Sequence, residues 1–263
     1  MSRTVWWSIV VFGLGLVAAI IYYALPKAHR EPDLQFPPAA VAPSQPAAPE
    51  PQTHFPAPQE TGGTALPALD ESDRTLKQAL DSLWSETSTA GFFNIKDLIR
   101  RIVVTVDNLP RRKVALRLMP VKQAAGKFET TGGDQDFAIA PDNATRYAAY
   151  ARFAGAIDAG KLVALYAHFY PLFQQAYQDL GYPNGYFNDR LIETIDDLLA
   201  APEVKTPVRL ARPKVFYEFA DPELEARSAG QKILMRIGND NAARIKTKLR
   251  EIRSELIRNA PKS

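Results

Sequence analysis

Four carboxylates lie close together in the chain at Asp189, Glu193, Asp196 and Asp197. Asp189 and Glu193 are four apart, as are Glu193 and Asp197, so a helix puts all three on one face. Like charges at that spacing repel unless a cation or a proton compensates, and acid/base pairs acquire raised pKa values in this way. One such residue acting as acid and another as base or nucleophile is the chemistry of glycoside hydrolysis. A solvated helix face with acids biased to its N-terminal turns explains the same residues and is the favoured reading.

Three further features could assist such a site. His168 is the only histidine outside the N-terminal 60 residues. It could shuttle a proton, although a hydrogen-bonded core histidine accounts for it more simply. Tyr182, Tyr186 and Phe187 surround Asn184-Gly185, where they could form an aromatic platform for a sugar or peptide, with Asn188 and Arg190 beside it. Packing of the turn against the core is the competing reading. Between Asn241 and Ser263 seven Lys/Arg stand against Glu251 and Glu255. Anionic lipid or cell-wall polymer would suit that face, but the charged outer side of an amphipathic helix is the simpler account.

The bulk composition excludes several classes. There is no cysteine, so neither disulfides nor thiolate chemistry are available, and three histidines leave no ordinary Cys/His zinc set. No metal or cofactor is therefore expected. A net charge of +3 is too small to indicate nucleic acid as the partner. No Gly-rich phosphate loop, nucleophile elbow or calcium loop occurs.

The elements that must position these residues follow from patterning. Residues 1–4 form a short tail. Residues 5–25 are a run of 21 without a charge, about 30 Å as a helix, enough to cross a bilayer. Trp6, Trp7, Tyr22 and Tyr23 mark its two ends as interfacial anchors, and no small-x-small cleavage site follows, so an uncleaved transmembrane helix is expected. The flanking charges nearly balance; a cytoplasmic N-terminus with an exported domain is the preferred orientation. Residues 26–68, with 11 of the chain's 21 prolines, read as a disordered Pro/Ala-rich tether.

Residues 69–258 read as a mainly α, multi-helix globular domain with a small hairpin or short-strand insertion, followed by a tail at 259–263. Asp70 or Ser72 is expected to cap a first helix, and Asn94 to open a second that Asn108 and Pro110 stop. Arg111, Arg112 and Lys113 read as a solvated basic turn. Asp142 and Asn143 are expected to cap a third helix; Asn143-Ala144-Thr145 also matches a glycosylation acceptor, the lesser reading. Helical periodicity runs straight through Pro171 and ends at Gly181. Asn188 is expected to cap the helix carrying the carboxylates. Strands are expected over 208–210 and 215–219. Asp221-Pro222 should open a helix running to Gly238, and Ile245, Leu249, Ile252 and Leu256 form a narrow seam on the last helix.

Several segments resemble a bacterial family known as domain of unknown function 3014. They are Thr105-Val106-Asp107-Asn108-Leu109-Pro110, Asn143-Ala144-Thr145-Arg146-Tyr147, and Tyr170-Pro171-Leu172-Phe173 through Ala176-Tyr177. Leu180-Gly181-Tyr182-Pro183 with Phe187 to Ile192, and Phe219-Ala220-Asp221-Pro222 through Gln231-Lys232, complete the set. Residues 121–139 look least family-like. The resemblance implies an anchored, exported bacterial protein and brings no catalytic residues with it. The combined expectation is a single-pass inner-membrane protein with a periplasmic domain. That domain would contact an envelope protein or cell-wall polymer, with a carboxylate-based cell-wall hydrolase as the alternative.

Overall fold

The computed structural model describes residues 55–58, 65–83, 92–133, 136–156, 158–213 and 215–260. The expected transmembrane helix over 5–25 lies outside the described residues, and among those described no helix is long and apolar enough to cross a membrane. The described part is mainly helical. A short 3-10 turn, Leu69–Glu71, leads into α1 (Ser72–Leu83), followed by α2 (Leu98–Asn108), α3 (Asp142–Gly155), α4 (Ala159–Asp179) and α5 (Phe187–Leu199). After a short extended stretch come α6 (Pro222–Glu225), α7 (Ala229–Arg236) and α8 (Asn239–Arg258).

The α8 seam decides the packing. Ile245, Leu249, Ile252 and Leu256 are buried, and α8 lies against α3, α4, α5 and α7. The 3-and-4 spacing therefore closes the core of this one chain. Asn241 fixes the crossing with α3 by donating from Nδ2 to Ala144 O and Ile237 O, both at 2.8 Å. On the opposite side, α2 packs on α4 and α5, and its Leu98, Ile99, Val103 and Val106 are buried.

The short strands form one antiparallel sheet, in the order β1 (Thr130–Thr131), β2 (Phe137–Ile139), β3 (Arg209–Ala211), β4 (Glu218–Phe219). Phe137 stands opposite Leu210, and Leu210 opposite Phe219. The insertion expected from lost helical period thus pairs with the extended pieces beyond α5. It covers a small separate core of Val204, Val208, Leu210, Phe219 and Met235.

Local capping departs from expectation at several places. Asn94 does not open α2: its Nδ2 donates to Met119 O at 3.0 Å. The first amides of α2 go instead to Asp73 on α1, whose carboxylate accepts from Asp97 N at 2.8 Å and Leu98 N at 3.0 Å. Asn143 caps nothing and is not available for glycosylation. It is 1% exposed and binds Glu129 through both main-chain groups, which ties β1's approach to α3. Asp221 does cap α6, accepting from Glu223 N. The helix then breaks, because Ser228 caps α7 afresh and the Ala229 and Gly230 amides donate to Arg111 O and Leu109 O. A Cβ at Gly230 would meet Leu198 Cδ2 at 2.5 Å, so a larger residue there needs that side chain to move.

Because Asp73 satisfies two otherwise orphaned amides from another helix, Asp73→Ala should cost about 1–2 kcal/mol. That corresponds to a melting temperature lower by about 2–8 °C in a domain of this size, read by thermal denaturation. Unchanged melting would show that water replaces the carboxylate without cost.

Candidate functional site

The turn between α4 and α5 is held from α4. Gln174 Oε1 accepts from Phe187 N at 2.9 Å, while its Nε2 donates to Gly185 O at 2.7 Å. One side chain thereby caps α5 and pins the turn before it. Gly181, at φ +115°, ends α4 in the left-handed region that glycine tolerates. Gly185 lies so close to Tyr177 that a Cβ would stand 3.0 Å from its ring. The Tyr177 and Tyr182 rings stack at 4.5 Å, and Phe187 stacks on Phe173 at 5.6 Å inside the core.

Beneath this turn lies a charge cluster at the crossing of α2 and α5. Asp107, on the last turn of α2, is 5% exposed. Arg111 Nη2 donates to both its oxygens, at 3.1 and 2.9 Å, and also to the Tyr182 hydroxyl at 2.6 Å. Arg190 approaches from α5, with Nε 3.2 Å from Asp107 Oδ1 and Nη2 donating to the Asp107 carbonyl. The Nε contact meets the ion-pair distance but is not aligned as a hydrogen bond. The basic turn at Arg111 is therefore partly consumed by structure. Neighbouring Thr194 reaches Val106 O at 2.9 Å and locks the same two helices.

A cavity of about 380 Å³ opens beside this cluster, lined by Phe55, Tyr177, Gly185, Tyr186, Asp189, Arg190, Ile192, Glu193 and Asp196. Tyr186, Asp189, Arg190, Glu193 and Asp196 among the expected residues therefore converge. Phe187 does not: it is 1% exposed and belongs to the core. Tyr182 packs on Tyr177 outside the lining, and His168 sits elsewhere on α4, edge-on to Phe169. Asn188 is not the cap of α5 but a fully buried side chain in its first turn.

The carboxylates that share a helix face do not share a task. Asp189 Oδ1 accepts from Phe55 N at 3.0 Å. Glu193 pairs with Arg190 at 2.7 Å, and Asp196 with Arg253 of α8 at 2.6 and 3.0 Å. Asp197 leaves the cavity altogether and accepts from Ser228 and Gln231 at the start of α7. Burial pushes its carboxyl above the usual range, with those two hydrogen bonds opposing. Among the described residues no cluster of three or more His, Asp and Glu side chains is placed to hold a metal ion. On α8, Lys246 donates to Ala201 O, Lys248 pairs with Glu251 and Arg258 with Glu255, so much of the basic face is spent within the chain.

Asp107 and Phe55 stand out among the contributors that were not expected site residues. Asp107 carried a signal: an acid four before Arg111 in the last turn of a helix opposes the dipole and needs cationic partners. Phe55 carried none, because it falls within the span read as disordered tether. Phe55–Pro58 nevertheless lies on the domain, with Pro58 buried.

A family model described as "Protein of unknown function (DUF3014)" matches residues 98–253. No curated protein and no solved structure matches the chain. Asp107, Tyr177, Asn188, Asp189 and Arg190 fall inside the matched span and Phe55 outside it.

Removing the Asp107 carboxylate leaves the mostly buried Arg190 guanidinium with only the exposed Glu193 as counter-charge. Asp107→Ala should therefore cost about 3 kcal/mol in chemical denaturation, against under about 1 kcal/mol for Arg111→Ala, whose side chain is 49% exposed. Equal costs would refute this ranking. The Tyr170 and Tyr177 phenols are pushed up to about 12, by burial first and then by Asp189 and Asp107 respectively. The unfolded phenol ionises near about 10, so above that pH the folded state binds more protons than the unfolded one. Stability should hold to about pH 10 and fall as pH rises to about 12. Tyr177→Phe should make that fall shallower in a melting series over the same window.

Proposed function

The chain belongs to the DUF3014 family, and from that premise we propose that it is a membrane-anchored bacterial envelope protein whose helical domain binds another envelope component. The uncharged run at 5–25 is the anchor, crossing the inner membrane once, and the tether carries the domain into the periplasm. The cavity beside Tyr186, Asp189, Arg190 and Glu193 is the contact surface. It combines aromatic walls with three carboxylates and one guanidinium, a mixture suited to a peptide or to a cell-wall polymer carrying amino groups.

One observation carries the preference for binding over hydrolysis. Each acid of the cluster is engaged by a different donor: Asp189 by a backbone amide, Glu193 and Asp196 by separate arginines, Asp197 by Ser228 and Gln231. A glycosidase needs two carboxyl groups facing one bond, with one of them kept protonated. The acid whose pKa is raised, Asp197, does not line the cavity. The hydrolase alternative therefore draws less support from this geometry.

A photo-crosslinking residue replacing the exposed Glu193 in growing cells should trap an envelope component by ultraviolet irradiation, and the adduct should be lost when Tyr186→Ala is added. Loss of peptidoglycan hydrolysis on Asp189→Asn, with no adduct from position 193, would overturn the binding reading in favour of the enzyme.

A further inference from the structure

The buried Asn188 is arranged to read a main chain. Its Oδ1 accepts from the Tyr166 hydroxyl at 3.1 Å, which turns the amide so that Nδ2 faces the N-terminal segment. Nδ2 donates to Phe55 O at 2.8 Å and approaches Pro56 O at 3.4 Å, while Asp189 Oδ1 accepts the Phe55 amide. Asn188 is 0% exposed, so its donors are satisfied only while a segment lies there or water enters in its place. Pro56 and Pro58 have no amide to donate and restrict the backbone to extended forms. Such a segment loses little entropy on docking. Phe55 supplies the apolar anchor against the core.

Within residues 26–68 the only aromatic residues other than histidine are Phe36 and Phe55, and each is followed by proline. We propose that the Asn188–Asp189 clamp takes an extended phenylalanine–proline segment and that Phe36-Pro37 is its second occupant, so that the tether docks in two registers. This rests on the reading of the face as a binding site and names a ligand class for it. Docked at Phe55, the chain leaves residues 26–54 between clamp and anchor; docked at Phe36, it leaves residues 26–35. At about 3.1 Å per extended residue, the maximum reach falls from about 90 Å to about 30 Å. The clamp is then a two-position stop on the distance between domain and membrane. Closing the longer loop from Ala40 to Thr64, instead of Gln59 to Thr64, disfavours the Phe36 register by about tenfold. Ala39 standing where Pro58 would lie adds to that bias.

The test uses the full chain in detergent micelles with p-benzoylphenylalanine in place of Tyr186, irradiation, and peptide mapping by mass spectrometry. In the native background the tether adduct should map to the peptide containing Phe55, with a Phe36 adduct at about one tenth of it. In Phe55→Ala the Phe36 adduct should rise about tenfold, and adding Phe36→Ala should abolish it. Asn188→Ala should remove both adducts; Asp189→Ala, which leaves the buried amide intact, should weaken both if Asn188→Ala fails to fold. Loss of every tether adduct in Phe55→Ala overturns the second register, as does a Phe36 adduct that survives Phe36→Ala. Adducts found only between differently isotope-labelled copies overturn docking within one chain. Because purified protein needs no partner, failure here is separable from failure to trap an envelope component at position 193 in cells.

Discussion

A buried carboxylate at the crossing of two helices holds the site together. Asp107 ends α2, where the helix dipole disfavours an acid, and it is 5% exposed. Arg190 from α5 and Arg111 from the following turn supply the compensating charge. Breaking such a pair is costly because the surviving charge stays buried. Its consequence is geometric: with Arg190 held on Asp107, the first turn of α5 presents Asn188 and Asp189 to the N-terminal segment. Tyr182, through Arg111, ties the preceding turn to the same charge.

Long-range use of short polar side chains recurs through the domain. Asp73 on α1 caps α2, Gln174 on α4 caps α5, and Asn143 and Asn188 bind main chain outside their own helices. Aspartate and asparagine often cap their own helices, which is why a local reading places Asn94, Asn143 and Asn188 at helix starts. An asparagine satisfied by a distant carbonyl gives the same local pattern as one satisfied by its own helix. Sequence spacing does not separate the two.

The carboxylates show the same limit from the functional side. Four-residue spacing does put Asp189, Glu193 and Asp197 on neighbouring turns. Partners on three other elements then draw them apart: Phe55 from the tether, Arg253 from α8 for the intervening Asp196, and Ser228 and Gln231 from α7. A face of like charge became a set of separate contacts because each acid met a different donor. The cavity that remains has aromatic and charged walls.

The sequence by itself determined the helical class, the passage of α4 through Pro171, its stop at Gly181 and the apolar seam on α8. All of these follow from periodicity and from backbone restrictions at glycine and proline, which act within a few residues. Only the tertiary structure decided that the α8 seam closes within one chain, that the insertion pairs with strands beyond α5, and that Phe55–Pro58 belongs to the folded surface. Those outcomes depend on which groups meet across long stretches of chain, from Phe137 opposite Leu210 to Phe55 on Asp189, and no local pattern encodes those meetings.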